Sequence, residues 1–361
     1  MLASHGLGAY LGASGAVPLP GIRLTTTSNS SVEQRTIRYG ILGFGRFAER
    51  ALVPAIRGAR HSALVALQKR SPDLARDKAD EHSIPLAFAS VEELVHHPDI
   101  DAVFVASANG SHGADTRAAA EAGKHVIVEK PMALNSTEAQ AMIDACRRNS
   151  VHLMVGHMVR LSPLVRRMKE IASTGKIGTV KLIRTEFVYD GRLSRRTWLI
   201  DRAIAGGGPV FDVGVHCLDT IRYILDAEPV DIESILSPVP TASATEESGL
   251  IGLRFPKDVL ASIVCSYTAP VRKSFLEIMG TEGIVSAFDF TMSSHNGRIL
   301  VTRGKKEKAA STTVEEVTVH DLYCEEVSMM SGWILGGVAP EIDGTNGLMN
   351  QRALDRMMKC A

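Results

Sequence analysis

Asp212 and His216 stand four residues apart in the run Asp-Val-Gly-Val-His, soon after a Gly-Gly-Gly-Pro run at 206–209. On a helix this spacing places both side chains on one face. Histidine exchanges protons near neutral pH, and a carboxylate beside it can orient the ring or share the proton. Three successive glycines give a backbone that can fold over a ligand. The pattern therefore favours proton transfer here, with a helix-capping Asp and a buried, satisfied His as the structural alternative.

Lys130 lies in the tripeptide Glu129-Lys130-Pro131, just after a short apolar run at 126–128 that has strand character. In open parallel sheets, ligands bind at the carboxyl ends of the strands. A lysine at such an end can hydrogen-bond a substrate hydroxyl and help to lower the pKa of that hydroxyl. The alternative is a surface lysine in a turn, which is the commoner position of this residue type.

The segment 43–48, Gly-Phe-Gly-Arg-Phe-Ala, follows an apolar run at 39–42 and precedes a helical pattern. This order of strand, glycine turn and helix is typical of a dinucleotide-binding unit, although a structural turn without a ligand is the alternative. The second glycine lets a pyrophosphate approach the backbone, and first-turn N–H groups with the helix dipole bind it. The residues predicted to contact the cofactor here are Gly43, Phe44, Gly45, Arg46 and Phe47.

The end of the second strand reads Gln68-Lys69-Arg70-Ser71 and contains no acidic residue. A site that prefers NAD places a carboxylate there, which binds the ribose 2′-hydroxyl. Lys69, Arg70 and the serine hydroxyl could instead bind a 2′-phosphate, and the planar guanidinium suits phosphate best. We therefore predict that NADP(H) is favoured over NAD(H), with a solvated basic turn as the alternative.

The chain from residue 37 alternates between short apolar runs and helical patterns. This alternation predicts a parallel, doubly wound Rossmann sheet that closes near residue 156. Ser90 with Glu93 forms a capping-box pattern, and Asn135 is a predicted helix cap. The predicted strands are 39–42, 63–68, 85–88, 101–106, 126–128 and 151–156, and the predicted helices are 47–60, 72–82, 90–97, 114–122, 135–149 and 163–174.

Long runs rich in β-forming residues follow, with turn signals between them and few helices. They predict a C-terminal α+β domain with a large, mostly antiparallel open sheet, so the fold class is α/β overall. One helix is predicted at 215–225, and a helical tail at 344–360 could pack back on the first domain. The predicted domains are an N-terminal extension at 1–35, a dinucleotide-binding domain at 36–156, a substrate and oligomerisation domain at 157–343, and the tail at 344–361.

Composition excludes several function classes. The 361 residues include 40 basic and 40 acidic side chains, so net charge gives no support for nucleic-acid or membrane-surface binding. The 5 cysteines are scattered and form no C-x-x-C pair, and Asp212 with His216 lacks a third ligand, so we predict neither a disulfide framework nor a metal site. Residues 1–35 are rich in Gly, Ser, Thr and Ala, and we expect a disordered extension on a cytoplasmic protein.

Several motifs occur in a characteristic order: GFGRFA, SANGSH, EAGKHVIVEKPMA, GHMVRLSP, IGTVKLIR and GGGPVFDVGVHCLD. Together they resemble the Gfo/Idh/MocA oxidoreductases over nearly all of the chain from about Ile37. The resemblance implies a Rossmann domain, a C-terminal domain with an open sheet, and NAD(P)-dependent oxidation of a carbon-bound hydroxyl of a sugar or polyol, or the reverse reduction. Because a large apolar face is rarely left in water, we also expect the open sheet to bury its exposed face in a homodimer or homotetramer.

The resemblance assigns roles residue by residue. Lys130, Asp212 and His216 match the family's catalytic set, with His216 as the general acid/base. His157 and Arg160 follow the sixth strand, where the family often places substrate contacts, and Asp212 and His216 also face the substrate. Ser107-Ala108-Asn109 stands where many members have Thr-Pro-Asn, so the loop beside the nicotinamide could be looser. The further residues implied at the cofactor are Ser107, Asn109, His112, Glu129 and Lys130.

Two other functions stay open at this point. Some relatives on this scaffold use a tightly held cofactor transiently to hydrolyse glycosidic bonds, and nothing in the sequence excludes that. A non-catalytic nucleotide-sensing or regulatory protein is the other alternative. Retention of Lys130, Asp212 and His216 argues against the regulatory alternative, because a sensor need not keep proton-transfer groups.

Overall fold

The computed structural model describes residues 35–191, 194, 196–304 and 310–359. The predicted N-terminal extension lies outside these residues except for Arg35, and so does Cys360. No helix in the described part of the chain is both long enough and apolar enough to cross a membrane.

The first sheet is fully parallel and has six strands in the order β3-β2-β1-β4-β5-β6. All six were predicted, and their bounds shift by at most two or three residues. The order reverses between β1 and β4, which opens a crevice at the carboxyl ends of these two strands. The strands are β1 Ile37–Leu42, β2 Ser62–Gln68, β3 Leu86–Phe88, β4 Ala102–Val105, β5 His125–Val128 and β6 Leu153–Val155.

Helices cover this sheet on both faces, and their starts follow the sequence signals closely. Ser90 and Glu93 form the predicted capping box, and the Asn135 side chain accepts a hydrogen bond from the Glu138 N–H group. The first helix differs from the prediction, because it opens with a π-helical turn at Ala48–Leu52. The helices are α1 Val53–Gly58, α2 Pro72–Glu81, α3 Val91–Val95, α4 Asn109–Glu121 and α5 Ser136–Arg148.

Helix α4 begins five residues before the predicted position. Glycines in its first turns have poor helix propensity and concealed the start. The structure explains them by packing, because a Cβ atom at Gly110 would lie 3.2 Å from the Ile204 carbonyl oxygen and one at Gly113 would overlap Glu138.

The second sheet has eight strands in the order β14-β13-β12-β11-β7-β10-β9-β8, and only the β7–β10 pair is parallel among those described. The predicted open, mostly antiparallel sheet is confirmed. Strand β14 was missed because its residues are polar and mostly exposed, which leaves no apolar pattern. The strands are β7 Val180–Asp190, β8 Asp231–Ser237, β9 Ser248–Phe255, β10 Val259–Ser266, β11 Thr268–Gly280, β12 Gly283–Phe288, β13 His295–Arg303 and β14 Ser311–Val319.

Helix α9 was also missed, although the side chain of Asp321 caps it by accepting hydrogen bonds from Tyr323 and Cys324. An Asp before a mixed apolar run was the signal that could have predicted it. The helices of this part are α6 Pro163–Ser173, α7 Arg202–Ala205, α8 Val215–Leu225, α9 Leu322–Ile334 and α10 Gly344–Lys359. Single 3₁₀ turns lie at Met158–Leu161, Thr197–Ile200 and Pro256–Asp258, and a π-helical turn lies at Val210–Gly214.

Helix α8 is the central element of the second part. Its residues 215–224 are all buried, which is typical of a helix covered on every side. It packs against α6, α10 and strands β7 and β10. The helix and the π turn before it therefore hold their side chains in a fixed frame between the covering helices and the eight-stranded sheet.

Candidate active site

The glycine turn lies at the carboxyl end of β1, in the crevice of the first sheet. Gly43 has φ +80°, and a Cβ atom there would overlap the backbone of Ser107. Gly45 is different, because its missing Cβ would point into open space, with the nearest atom 4.0 Å away. Among the described residues, no neighbouring side chain therefore requires a glycine at position 45. A ligand that binds against this backbone from outside would require one.

Phe44 differs from the prediction of a cofactor contact. Its ring is buried in the core, 5.7 Å from the ring of His82, and its N–H group donates to the Gln68 carbonyl oxygen at 2.9 Å. Both groups are thus already used within the protein. Arg46 is exposed, and the half-buried ring of Phe47 packs edge-on against Tyr323 of α9 at 5.4 Å.

Gln68 is a residue of this site that the sequence did not reveal. Its side-chain oxygen accepts from the Gly43 N–H group at 3.2 Å, and its amide nitrogen donates to the Ala89 carbonyl at 3.0 Å. The side chain therefore fixes the glycine turn against the end of β2. Lys69 adds a second tie, since its ammonium donates to the Phe44 carbonyl oxygen at 3.2 Å.

Arg70 and Ser71 lie where β2 passes into α2. Arg70 is exposed, while the Ser71 hydroxyl oxygen accepts from the Leu74 N–H group at 3.4 Å and caps the helix. The first carboxylate after Arg70, Asp73, is exposed and pairs with Arg76. This corner therefore presents a guanidinium, a hydroxyl and the positive end of a helix.

The loop after β4 contributes side chains that bond within the protein. The Ser107 hydroxyl donates to Asp115 at 2.6 Å, and burial raises the pKa of that carboxyl although this hydrogen bond opposes the shift. Asn109 is buried, and its amide donates to the Ala205 carbonyl oxygen at 2.9 Å. These two bonds hold the loop in place beside the glycine turn.

His112 differs from the prediction of a cofactor contact. Its side chain is buried, with Nδ1 2.9 Å from the Pro131 carbonyl oxygen and Nε2 3.1 Å from the Ser107 carbonyl oxygen. Burial lowers the pKa of His112 to about 4, so the ring is neutral and donates only one of these two contacts. It links the loops that follow β4 and β5 instead of facing the crevice.

Lys130 reaches from the end of β5 to the π turn before α8. Its ammonium donates to the Asp212 carbonyl oxygen at 2.8 Å and to Asp212 Oδ1 at 3.2 Å. An ammonium carries three N–H donors, so one remains for another acceptor. The structure thus brings together two of the predicted catalytic residues from opposite halves of the chain.

Asp212 has two further partners that the sequence did not reveal. Arg196 donates to both carboxylate oxygens, at 3.1 and 2.9 Å, and the Tyr189 hydroxyl donates to Oδ2 at 2.7 Å. Burial by itself raises the pKa of Asp212, but Arg196 and Lys130 outweigh it and hold the pKa well below its usual range. The carboxylate is therefore ionised and accepts four hydrogen bonds.

His216 lies one turn along the helix but forms no hydrogen bond with Asp212 among the described residues. The carboxylate is already saturated, so the expected orienting pair does not form. Burial, and then the charge of Lys130, lowers the pKa of His216 well below its usual range. Its Nδ1 is buried without a described partner, and its ring lies 6.0 Å from that of Phe187. His216 is thus a neutral base beside the Lys130 ammonium.

Glu129 precedes the lysine and is itself buried. Burial raises the pKa of Glu129 to about 7, although the charge of Lys130 opposes the shift. One of its oxygens accepts from the Lys130 N–H group at 3.3 Å, and the other has no described partner.

The three glycines at 206–208 pack inside the protein, which differs from the expected fold over a ligand. A Cβ atom at Gly206 or Gly207 would lie 2.7 Å from the Phe211 ring, and one at Gly208 would overlap Glu246. The buried Glu246 accepts from the Val210 N–H group at 3.1 Å. Close packing at this corner therefore sets the start of the segment that carries Asp212.

His157 and Arg160 differ from the prediction of substrate contacts. Arg160 is buried, and its Nε lies 2.8 and 2.9 Å from the two oxygens of Asp219. His157 Nε2 lies 3.0 Å from the amide nitrogen of Asn350, and burial lowers the pKa of His157 to about 4. Both side chains belong to a sealed polar network.

The crevice fits a dinucleotide on these observations. The open space at Gly45 admits a pyrophosphate, the exposed Arg46 lies beside it, and the basic corner at Arg70 follows β2. Lys130 would reach the nicotinamide end, with one donor still free. In the described part of the chain, no group of three His, Cys, Asp or Glu side chains is arranged to hold a metal ion.

Comparison with protein families gives two matches. The NAD-binding Rossmann fold of the GFO_IDH_MocA oxidoreductase family matches residues 37–157, and the GFO/IDH/MocA C-terminal domain matches residues 165–286. The first match contains the whole six-stranded sheet, and the second contains strands β7 to β11 and most of β12 of the eight-stranded sheet.

Individual relatives are oxidoreductases of sugars. The chain is 33% identical over 247 residues to the 1,5-anhydro-D-fructose reductase of Ensifer adhaerens, which covers 68% of this chain and 74% of the relative. It is 27% identical over 326 residues to the D-xylose 1-dehydrogenase (NADP(+)) 2 of Haloferax volcanii, over 90% of this chain and 97% of the relative. The solved aldose-aldose oxidoreductase of Caulobacter crescentus, complexed with glycerol, matches with TM-score 0.80 and 26% identity, over 91% of this chain and 98% of that one.

Proposed function

The chain belongs to the Gfo/Idh/MocA family of oxidoreductases, and on this premise we propose that it transfers a hydride between NADP(H) and a carbon-bound hydroxyl of a sugar or polyol. The observation that carries the proposal is the Lys130–Asp212 pair beside a neutral His216. These groups meet at the carboxyl ends of the parallel strands, where ligands bind in open α/β sheets. When bound, the nicotinamide cofactor supplies the hydride chemistry.

The protein's own residues supply positioning and proton transfer. Asp212 holds the Lys130 ammonium by two contacts, so the remaining N–H donor of Lys130 would bind the reacting oxygen. His216 is neutral and would accept the hydroxyl proton as the alcohol becomes a carbonyl. Arg196 and Tyr189 would act through Asp212, because they fix the carboxylate that positions the lysine.

The preference for NADP(H) is supported by the corner after β2. Arg70 is exposed, and the Ser71 hydroxyl and the start of α2 lie beside it. A phosphate would gain a charge-assisted bond from the guanidinium and would be stabilised by the helix dipole. A relative of this chain, the xylose dehydrogenase of Haloferax volcanii, carries NADP in its name.

Two measurements test the proposal together. Purified protein is titrated with NADPH and NADH by fluorescence, and the loaded protein is assayed with a panel of aldoses and polyols by cofactor absorbance. NADPH should bind tighter, and Arg70→Ala should weaken NADPH binding by roughly 10- to 100-fold while changing NADH binding little. Equal loss for both cofactors would contradict the 2′-phosphate assignment, and no turnover across the panel would contradict the sugar or polyol assignment.

We also propose the division of labour between the two parts. Residues 36–156 form the dinucleotide-binding domain, residues 157–343 form the substrate and oligomerisation domain, and the tail that begins at residue 344 packs back on the first through its described helix, α10. Support comes from α10, where Asp355 accepts from the Ser136 N–H group at 2.8 Å.

The outer face of the eight-stranded sheet is the proposed oligomer interface. Apolar side chains alternate outward on neighbouring strands, and Ile235, Leu250 and Leu260 are exposed to 71%, 50% and 52%. A large apolar face is rarely left in water, so a homodimer or homotetramer would cover it.

A further inference from the structure

Arg272 is a cation on the site's side of the sheet that the proposed mechanism does not use. Strand β11 buries Leu276 and Ser274, and Arg272 lies two residues before Ser274, where the register of β11 against β7 begins to shift. Ser274 stands opposite Phe187 in the β7 register. The Arg272 side chain therefore lies on the inner face, which is the face that α8 covers.

Contacts of Arg272 confirm that direction. Its guanidinium carbon lies 4.9 Å from the centre of the Phe187 ring, which in turn lies 6.0 Å from the His216 ring and 6.4 Å from the Tyr189 ring. A single aromatic ring thus separates Arg272 from the proposed proton acceptor. A ligand whose reacting carbon lies at His216 could reach the guanidinium with a group several bonds away.

The remaining partners of Arg272 are neutral. One terminal nitrogen lies 3.0 Å from Thr291 Oγ1 and the other lies 2.6 Å from Met292 Sδ. No ion pair joins Arg272 to a carboxylate in the described part of the chain, although Asp289 lies in the same region. The residue as a whole is more than a third exposed, and a guanidinium has five N–H donors, which is more than these two contacts use.

The adjacent residue shows the contrast. Lys273 points to the opposite face and pairs with Glu186 at 3.1 Å. Around the site, Lys130, Arg196 and Arg272 bring three cations, whereas Asp212 is the carboxylate that pairs with the first two. A neutral sugar would leave the Arg272 charge uncompensated, whereas an anionic ligand would neutralise it.

We propose that the substrate is a sugar or polyol derivative that carries an anionic oxygen group, a carboxylate or a phosphate, and that Arg272 binds this group. The inference rests on the proposed function of the site. Arg272 then determines substrate specificity, while Lys130 and His216 act on the reacting hydroxyl at the other end of the molecule.

The test uses three ligands that share one ring: D-glucose, D-glucuronate and D-glucose 6-phosphate. Each is titrated by calorimetry into the NADPH-loaded protein at fixed ionic strength, where the reduced cofactor prevents oxidation of the ligand. At least one anionic ligand should bind roughly 10- to 100-fold tighter than glucose. Tighter binding of D-glucuronate would indicate a carboxylate site, and tighter binding of D-glucose 6-phosphate would indicate a phosphate site.

Variants connect the preference to the residue. Arg272→Leu should bring the ratio of anionic to neutral affinity close to one, and Arg272→Lys should retain part of it, because an ammonium keeps the charge but loses the planar fork. Lys273→Leu is the matched control and should keep the full ratio. The ratio compares ligands within one variant, so a general loss of folded protein does not change it.

Two results would overturn the inference: glucose binding as tightly as both anionic ligands, or an unchanged ratio in Arg272→Leu. Failure of the proposed function gives a different pattern. In that case the anionic ligand binds and depends on Arg272, but no sugar or polyol, neutral or anionic, is oxidised when NADP⁺ replaces NADPH.

Discussion

Two carboxylates seven residues apart, Asp212 in the π turn and Asp219 in α8, pair with the same kind of partner in different surroundings. Asp212 pairs with Lys130 and Arg196, whose side chains are 15% and 43% exposed. Asp219 pairs with Arg160 and Arg222, whose side chains are 10% and 5% exposed. Each carboxylate is buried and faces two cations, so the number of neighbouring charges does not distinguish the two sites.

Access distinguishes them. Asn346 and Asn350 of α10 both donate to Asp219, at 3.1 and 2.7 Å, and cover it from outside. Burial by itself raises the pKa of Asp219, but His157, Arg160 and Arg222 outweigh it and hold the pKa far below its usual range. A buried, paired carboxylate therefore stabilises helix packing when all of its partners are buried as well. It can position a reacting group when its cationic partners are exposed to a crevice.

The largest expected effect is at the solvent-accessible site, which contains Asp212 and His216. His216→Ala should lower turnover by roughly 10²- to 10⁴-fold, because the proton acceptor is lost. The dissociation constant of NADPH should change little, since His216 lies beyond the phosphate-binding turn. Steady-state kinetics and fluorescence titration measure the two quantities. Retained turnover would remove His216 from the mechanism.

A matched pair of substitutions tests the two carboxylates directly. Asp219→Asn leaves the buried Arg160 without its paired carboxylate, whereas Arg222 keeps its ion pair with Glu228, and should lower the free energy of unfolding by about 3–5 kcal/mol. Asp212→Asn should cost only about 1 kcal/mol, because water can reach Arg196, but should still reduce turnover. Urea denaturation at neutral pH measures the difference. Equal destabilisation by both variants would break the comparison.

The smallest expected effect is a shift in the pH dependence of the rate of alcohol oxidation. His216 must be neutral to accept a proton, and its folded-state pKa lies well below 6.5. The rate of alcohol oxidation should therefore stay level as pH falls through 6.5 and should decline only at lower pH. If the rate instead declines around pH 7 and this decline disappears in Glu129→Gln, the titrating group is Glu129, whose pKa is raised to about 7. A decline in rate around pH 6.5 that persists in Glu129→Gln would contradict the lowered pKa of His216.

Local features were predictable from the sequence because they depend on neighbouring residues. The glycine turn at 43–48, the capping box at Ser90 and the cap at Asn135 each need only a few adjacent positions. The alternation of apolar runs predicted the six-stranded sheet, and its end defined the position of Lys130. The order of motifs was enough to identify the family.

Partners across the fold were not predictable, because packing decides them. Arg196 and Tyr189 saturate Asp212 and prevent the expected bond to His216, although nothing in the local spacing indicates their approach. Strand β14 and helix α9 were missed because their residues carry no clear apolar period.

The residue types and their order along the chain thus determined the fold class, the crevice and which groups could do chemistry. Tertiary structure alone decided which of those groups are free to act. Arg160 is sealed by Asp219, whereas Arg272 forms no ion pair with a carboxylate among the described residues. The physical reason is that burial and pairing depend on segments far apart in sequence, and an unpaired charge becomes visible only when all of its neighbours are known.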